Sequence, residues 1–193
     1  MVSPSPCSCR GSIGIHEACL KKIQERTMCC PVCRTDYATE LDGLHSRYVG
    51  DRRIVYSTVG GLRHGTYEEY DADDVLLKRS CFVAGVLHGP YYVYHEDGET
   101  LMIECTYVAG KKEGYLYEYD EDQNMITLSH YRNDLLDGWC REYYDRGRVF
   151  QEYCMSEGVR DGEFTEFHYD GTVKSRCFYE DGVAVAEEPT YSM

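Results

Sequence analysis

The chain has 193 residues, 42% of them hydrophobic and 28% charged, with a formal net charge of −14. That balance excludes a disordered or collagen-like polymer and allows one ordinary domain, or a small module followed by a medium one. The charge is split, five Lys or Arg against three Asp or Glu up to Tyr37 and fifteen against thirty-one beyond it. So acidic a body repels phosphate backbones and anionic headgroups, and no nucleic-acid partner is expected.

Residues 1–37 hold six of the eleven cysteines. The opening "MVSPSPCSCR" has neither the basic nor the apolar region of a signal peptide, and no stretch is long and apolar enough to span a bilayer. A reducing, cytoplasmic location is expected, with peripheral membrane association left open, and its cysteines should be thiols or metal thiolates. Cys7 and Cys9 form C-x-C, His16 and Cys19 form H-x-x-C, and Cys30 and Cys33 form C-x-x-C around Pro31. Close pairs of thiolate or imidazole side chains can reach one zinc ion together, and the proline pre-sets the turn that brings the last pair to a point. The intervening "LKKIQERTMC" reads as a short amphipathic helix with Leu20 and Ile23 inward.

These pairs resemble the last three of the four ligand pairs of a RING-CH zinc finger, including the "RGS" that follows the C-x-C. The family's first C-x-x-C has no counterpart in residues 6–37. The resemblance implies a cross-brace in which Cys7, Cys9, Cys30 and Cys33 complete one zinc site, while His16 and Cys19 make half of a second. It also implies a ubiquitin-conjugating enzyme as partner, docked through Pro31 and the position held by Ile23. No catalytic residue is implied, because a RING only orients the conjugating enzyme and its thioester.

From residue 38 to 186 the sequence repeats. Gly43, Gly65, Gly89, Gly114, Gly138 and Gly162 open units spaced 22, 24, 25, 24 and 24 residues apart, and a second turn residue stands four positions earlier at Gly61, Gly85, Gly110, Asp134 and Gly158. Each unit has two runs rich in Tyr, Phe, Val and Thr around an acidic turn such as "EDG" or "YDG", the composition of a β-hairpin. One hairpin cannot bury a face alone, so the units should pair edge to edge as an elongated, single-layer antiparallel meander of eleven or twelve strands. The fold class expected is thus mainly β, preceded by a small zinc-binding α/loop module and followed by a tail at 187–193. These units resemble MORN repeats of the variant class, which implies a scaffold that binds a partner. The pairing of finger and repeats is similar to proteins of large DNA viruses, for which the compartment would be host cytoplasm.

Five residues past each opening glycine the side chain is aromatic, at Tyr48, Tyr70, Tyr94, Tyr119, Tyr143 and Phe167. Two residues past it the position is usually apolar, as at Tyr67, Tyr91 and Leu116. Their opposite parity means that either a bulge at each glycine restores one face, or aromatic side chains occupy both faces. Tyr70, Tyr94, Tyr119 and Tyr143 should form one row, flanked by Glu69, Glu118 and Glu142, that receives a basic protein segment or an extended peptide. His64 and His88 are expected to flank turns, and Cys81, Cys105, Cys154 and Cys177 to be small packing residues at one recurring place. Two functions remain, a ubiquitin ligase or a remnant of one whose repeats select the substrate, or a binding scaffold with no ligase activity.

Overall fold

The computed structural model describes residues 42–188, with side chains through Val185. The finger motif, Cys7, Cys9, His16, Cys19, Ile23, Cys30, Pro31 and Cys33 included, lies outside the described residues. What is described is one antiparallel sheet and almost no helix, the exception being a 3₁₀ turn at Asp145–Gly147.

The strands are β1 (Gly43–Val49), β2 (Arg52–Val59), β3 (Leu62–Tyr70), β4 (Leu76–Val83), β5 (Val86–Tyr94), β6 (Leu101–Val108), β7 (Lys111–Lys112) and β8 (Gly114–Tyr119). They continue as β9 (Met125–Arg132), β10 (Leu135–Leu136), β11 (Gly138–Tyr143), β12 (Val149–Ser156), β13 (Val159–Phe167), β14 (Val173–Glu180) and β15 (Val183–Glu188). Thirteen follow chain order across the sheet, while β7 and β10 are the detached first turns of the strands that continue as β8 and β11. At about 4.8 Å per strand the sheet spans roughly 60 Å, an open meander a little longer than the sequence count.

Two devices recur along the sheet. The amide of the turn residue donates to a carbonyl of the preceding unit, Gly85 to Arg63, Gly110 to Leu87, Asp134 to Lys112, Gly158 to Leu136 and Gly182 to Arg160, at 2.8–3.1 Å. At the start of the sheet the carboxylate of Asp42 accepts from Gly61 instead, at 3.0 Å, so the first hairpin closes with a side chain where later ones use backbone. The opening glycine then sits in a bulge. Cys154 alone is opposed by Asp161, Gly162 and Glu163, since the register passes from Tyr153↔Phe164 to Met155↔Arg160. Gly162 has φ +106°, and a Cβ there would stand 3.0 Å from the Cβ of Cys154, so glycine is demanded twice over.

A second register shift follows in every unit from Gly65 onward, between the fourth and fifth residues past the glycine, whereas the first hairpin keeps one register from Gly43 to Val49. Glu69 pairs with Lys78 but Tyr70 with Leu76, leaving Leu77 as an extra residue, and Met102, Ile126, Phe150 and Lys174 are extra in the same way.

Candidate partner-binding faces

Directly opposed residues share a face of a sheet, so the register separates the two sides. On one side Tyr56, Tyr67, Ser80, Tyr91 and Cys105 stand in a file of direct pairs, as do Cys140, Tyr153, Phe164 and Cys177 further along. This is the spine: Tyr67 is 6% exposed and Cys140 1%, and apart from Thr165 the buried residues lie on it. Arg63 lays its guanidinium 5.5, 4.8 and 5.5 Å from the rings of Tyr56, Tyr67 and Phe82, and Arg160 repeats this over Tyr153, Phe164 and Tyr179 at 5.3, 4.9 and 5.4 Å. Each arginine stem covers ring surface that a single-layer sheet would otherwise leave wet.

The opposite face carries a file from Val55 through Glu68, Arg79, Tyr92, Glu104, Tyr117, Leu128, Arg141, Glu152 and Thr165 to Arg176. Tyr70, Tyr94, Tyr119 and Tyr143 form the expected row beside it, each at the same register place. All four are half-buried rather than open. Tyr70 donates to Glu68 Oε2 at 2.7 Å and lies under Arg53, 4.1 Å away, while Tyr119 stacks on Tyr117 at 6.4 Å.

Of the two outcomes left open by parity, the second holds. A bulge does sit at the opening glycine, but it precedes both aromatic positions, so Tyr67 and Tyr70 emerge on opposite faces. The expected flanking by Glu69, Glu118 and Glu142 is therefore wrong. Tyr67 donates to Glu69 Oε1 at 2.7 Å, Thr127 to Glu118, and Tyr153 to Glu142 Oε1 at 3.1 Å, which places all three carboxylates on the spine side. Among the exposed rings missed by the sequence reading, Tyr115, at 50%, and Trp139, at 49%, both stand one residue past an opening glycine on the tyrosine-row side, and Tyr169 and Phe178 are exposed as well. Alternation counted from the glycine was the available signal.

Burial sets the ionisation of the spine. It pushes the Tyr67 phenol up to about 12, with the Glu69 carboxylate adding to the effect, and Tyr107 also to about 12. Burial alone would raise Glu69, yet hydrogen bonds from Tyr67 and Lys78 outweigh it and hold the carboxyl below its usual value. Cys105 is pushed to about 11, and burial raises Cys140 and Cys154. Such thiols are poor nucleophiles, which agrees with a packing role. They do not share one place, however. Cys81 and Cys154 face the glycine bulges on the tyrosine-row side, whereas Cys105 and Cys177 are on the spine. His64 and His88 flank turns as expected, their Nδ1 atoms accepting from the Ala84 and Ala109 amides at 3.5 and 3.3 Å.

Among the described residues no group of three or more His, Cys, Asp or Glu side chains is arranged to hold a metal, and no helix is long and apolar enough to cross a membrane. No curated protein matches the chain. A family model for the MORN repeat variant matches residues 160–181, from Arg160 to the residue before the last turn glycine. A MORN repeat variant is thus found in the last complete hairpin, and the hairpins of Gly89, Gly114 and Gly138 share both its bulged glycine and its turn-amide bond, while that of Gly65 shares the bulge.

Proposed function

We propose that the chain is a cytoplasmic protein-interaction scaffold whose sheet receives a basic segment of a partner protein on the spine face. The observation that carries this is the row of carboxylates four residues past the glycines. Glu69 and Glu166 are neutralised by the chain's own lysines, Lys78 at 3.0 Å and Lys174 at 2.7 Å, whereas Glu118 and Glu142 accept only hydroxyl hydrogen bonds among the described residues. Equivalent places recur about every 10 Å along the sheet, twice the strand spacing, a pitch that an extended segment can follow. The MORN repeat variant at 160–181 supports an interaction role.

An array of acidic, neutral and basic peptides probed with the full chain tests this. Binding confined to basic peptides and weakened by salt is expected. Binding that ignores peptide charge refutes it.

The N-terminal cysteine pattern favours a second reading, in which Cys7, Cys9, Cys30 and Cys33 hold one zinc and the module recruits a ubiquitin-conjugating enzyme. Autoubiquitination with a panel of conjugating enzymes decides between a ligase and a scaffold without ligase activity.

A further inference from the structure

A cleft of about 610 Å³ opens at the acidic-loop edge of the sheet, between the hairpins of Gly89 and Gly114. Its apolar floor is Met102, Ile103 and Ile126, and Glu118 and Tyr119 stand at its side. Met102 and Ile126 are the extra residues of their strands, and Ile126 remains 44% exposed. The rim is anionic: loops 95–100 and 120–124 read "HEDGET" and "DEDQN", without a lysine or arginine. None of Glu118, Asp120, Glu121 and Asp122 has an ion-pair partner among the described residues.

The repeats supply an internal template for what belongs there. Two units later, the position of Glu118 is Glu166 and that of Ile126 is Lys174, whose ammonium sits 2.7 Å from the Glu166 carboxylate. In the hairpin of Gly65 the same carboxylate position, Glu69, takes Lys78, and the residue equivalent to Lys78 beside Glu118 is Thr127. Both cations of the template are thus replaced by uncharged residues beside this cleft. The next hairpin closes the corresponding space itself, with the Tyr144 ring 5.0 Å from Phe150 and 5.4 Å from Tyr169.

We infer that this cleft binds a lysine or arginine side chain of the partner's basic segment, its aliphatic stem on Met102 and Ile126 and its charged head at Glu118. The arrangement reproduces Lys174 on Glu166 with the cation supplied from outside. A stem over apolar residues with its head on a carboxylate satisfies both parts of the side chain. His95 steadies the wall, its Nε2 donating to the Tyr119 carbonyl at 3.2 Å. The inference rests on the scaffold reading and gives it a location.

The test uses the full chain and a capped fluorescent peptide with one lysine between leucines, alongside its acetyl-lysine counterpart, measured by anisotropy. The wild type should prefer lysine over acetyl-lysine roughly tenfold, the scale of one charge-assisted hydrogen bond. Glu118→Gln should remove that preference. Ile126→Lys, which restores the template's own cation, should remove it as well while leaving the unfolding midpoint unchanged. Glu166→Gln, at the internally filled counterpart, should leave the preference intact. A wild type that does not distinguish lysine from acetyl-lysine overturns the inference. A preference that survives both Glu118→Gln and Ile126→Lys also overturns it, but the segment then docks elsewhere on the sheet and the scaffold reading stands.

Discussion

Replacing Gly162 by alanine probes the bulge on which the repeat depends. Its φ of +106° is strained for an L side chain, which costs about 1–3 kcal/mol. The new Cβ would also stand 3.0 Å from the Cβ of Cys154, an atom fixed to the backbone that cannot swing aside, adding about 1–3 kcal/mol of overpacking. The sum is a loss of about 2–6 kcal/mol. Gly114 provides the control, since its φ is +83° but nothing lies within 4 Å of its would-be Cβ, so only the backbone cost applies. Urea unfolding followed by the chain's single tryptophan reports on the right place, because Trp139 pairs directly with Cys154. A local probe is preferable in a repeat array, whose unfolding need not be two-state. Gly162→Ala should lower the midpoint clearly more than Gly114→Ala. Equal effects would remove the clash from the argument, and two neutral variants would show that the bulge does not require positive φ.

Other consequences follow from the spine and from the N-terminal motif. Ser80 Oγ is buried between Tyr67 and Tyr91 with no hydrogen-bond partner among the described residues, so Ser80→Cys, the residue found at the equivalent Cys105, should raise the melting temperature, with a gain of about 1 kcal/mol. A loss of stability in that variant would mean the hydroxyl is satisfied. Cys105 titrates near 11 in the fold against 9.0 as a free thiol, so the folded state keeps its proton longer. Stability should therefore be steady below about pH 9 and fall between pH 9 and 11, a melting series checks this, and a flat profile contradicts it. If residues 1–37 form the proposed finger, the purified chain should carry about one zinc per molecule by elemental analysis, and a chelator should remove it without changing the β-sheet circular dichroism.

The meander was legible because glycine, a left-handed turn and an acidic loop mark each hairpin in residue types that cannot easily be exchanged. The tyrosine row was legible for the same reason. Which carboxylates flank it was not, because a face is decided by alternation within a strand, and Glu69 is adjacent to Tyr70 in sequence yet projects the other way. The second bulge left no sign, since its extra residue is Leu77, Met102, Ile126, Phe150 or Lys174, with no shared chemistry. The cysteines illustrate the cost of counting alone. Cys81 and Cys105 are both sixteen residues past their glycines, but the loop at 95–100 is one residue longer than that at 71–75, and the extra residue moves Cys105 to the spine.

The central claim, that the sheet takes a basic segment at the Glu118 cleft, is tested most directly by methyl resonances of the full chain, labelled at methionine and isoleucine, during titration with the lysine peptide. The account predicts that Met102, Ile103 and Ile126 shift together in a saturable manner while Ile54, at the far end of the sheet, stays fixed. Saturable shifts centred on Ile54 or on Met155, which pairs with Gly138, or no shifts at all, would contradict it.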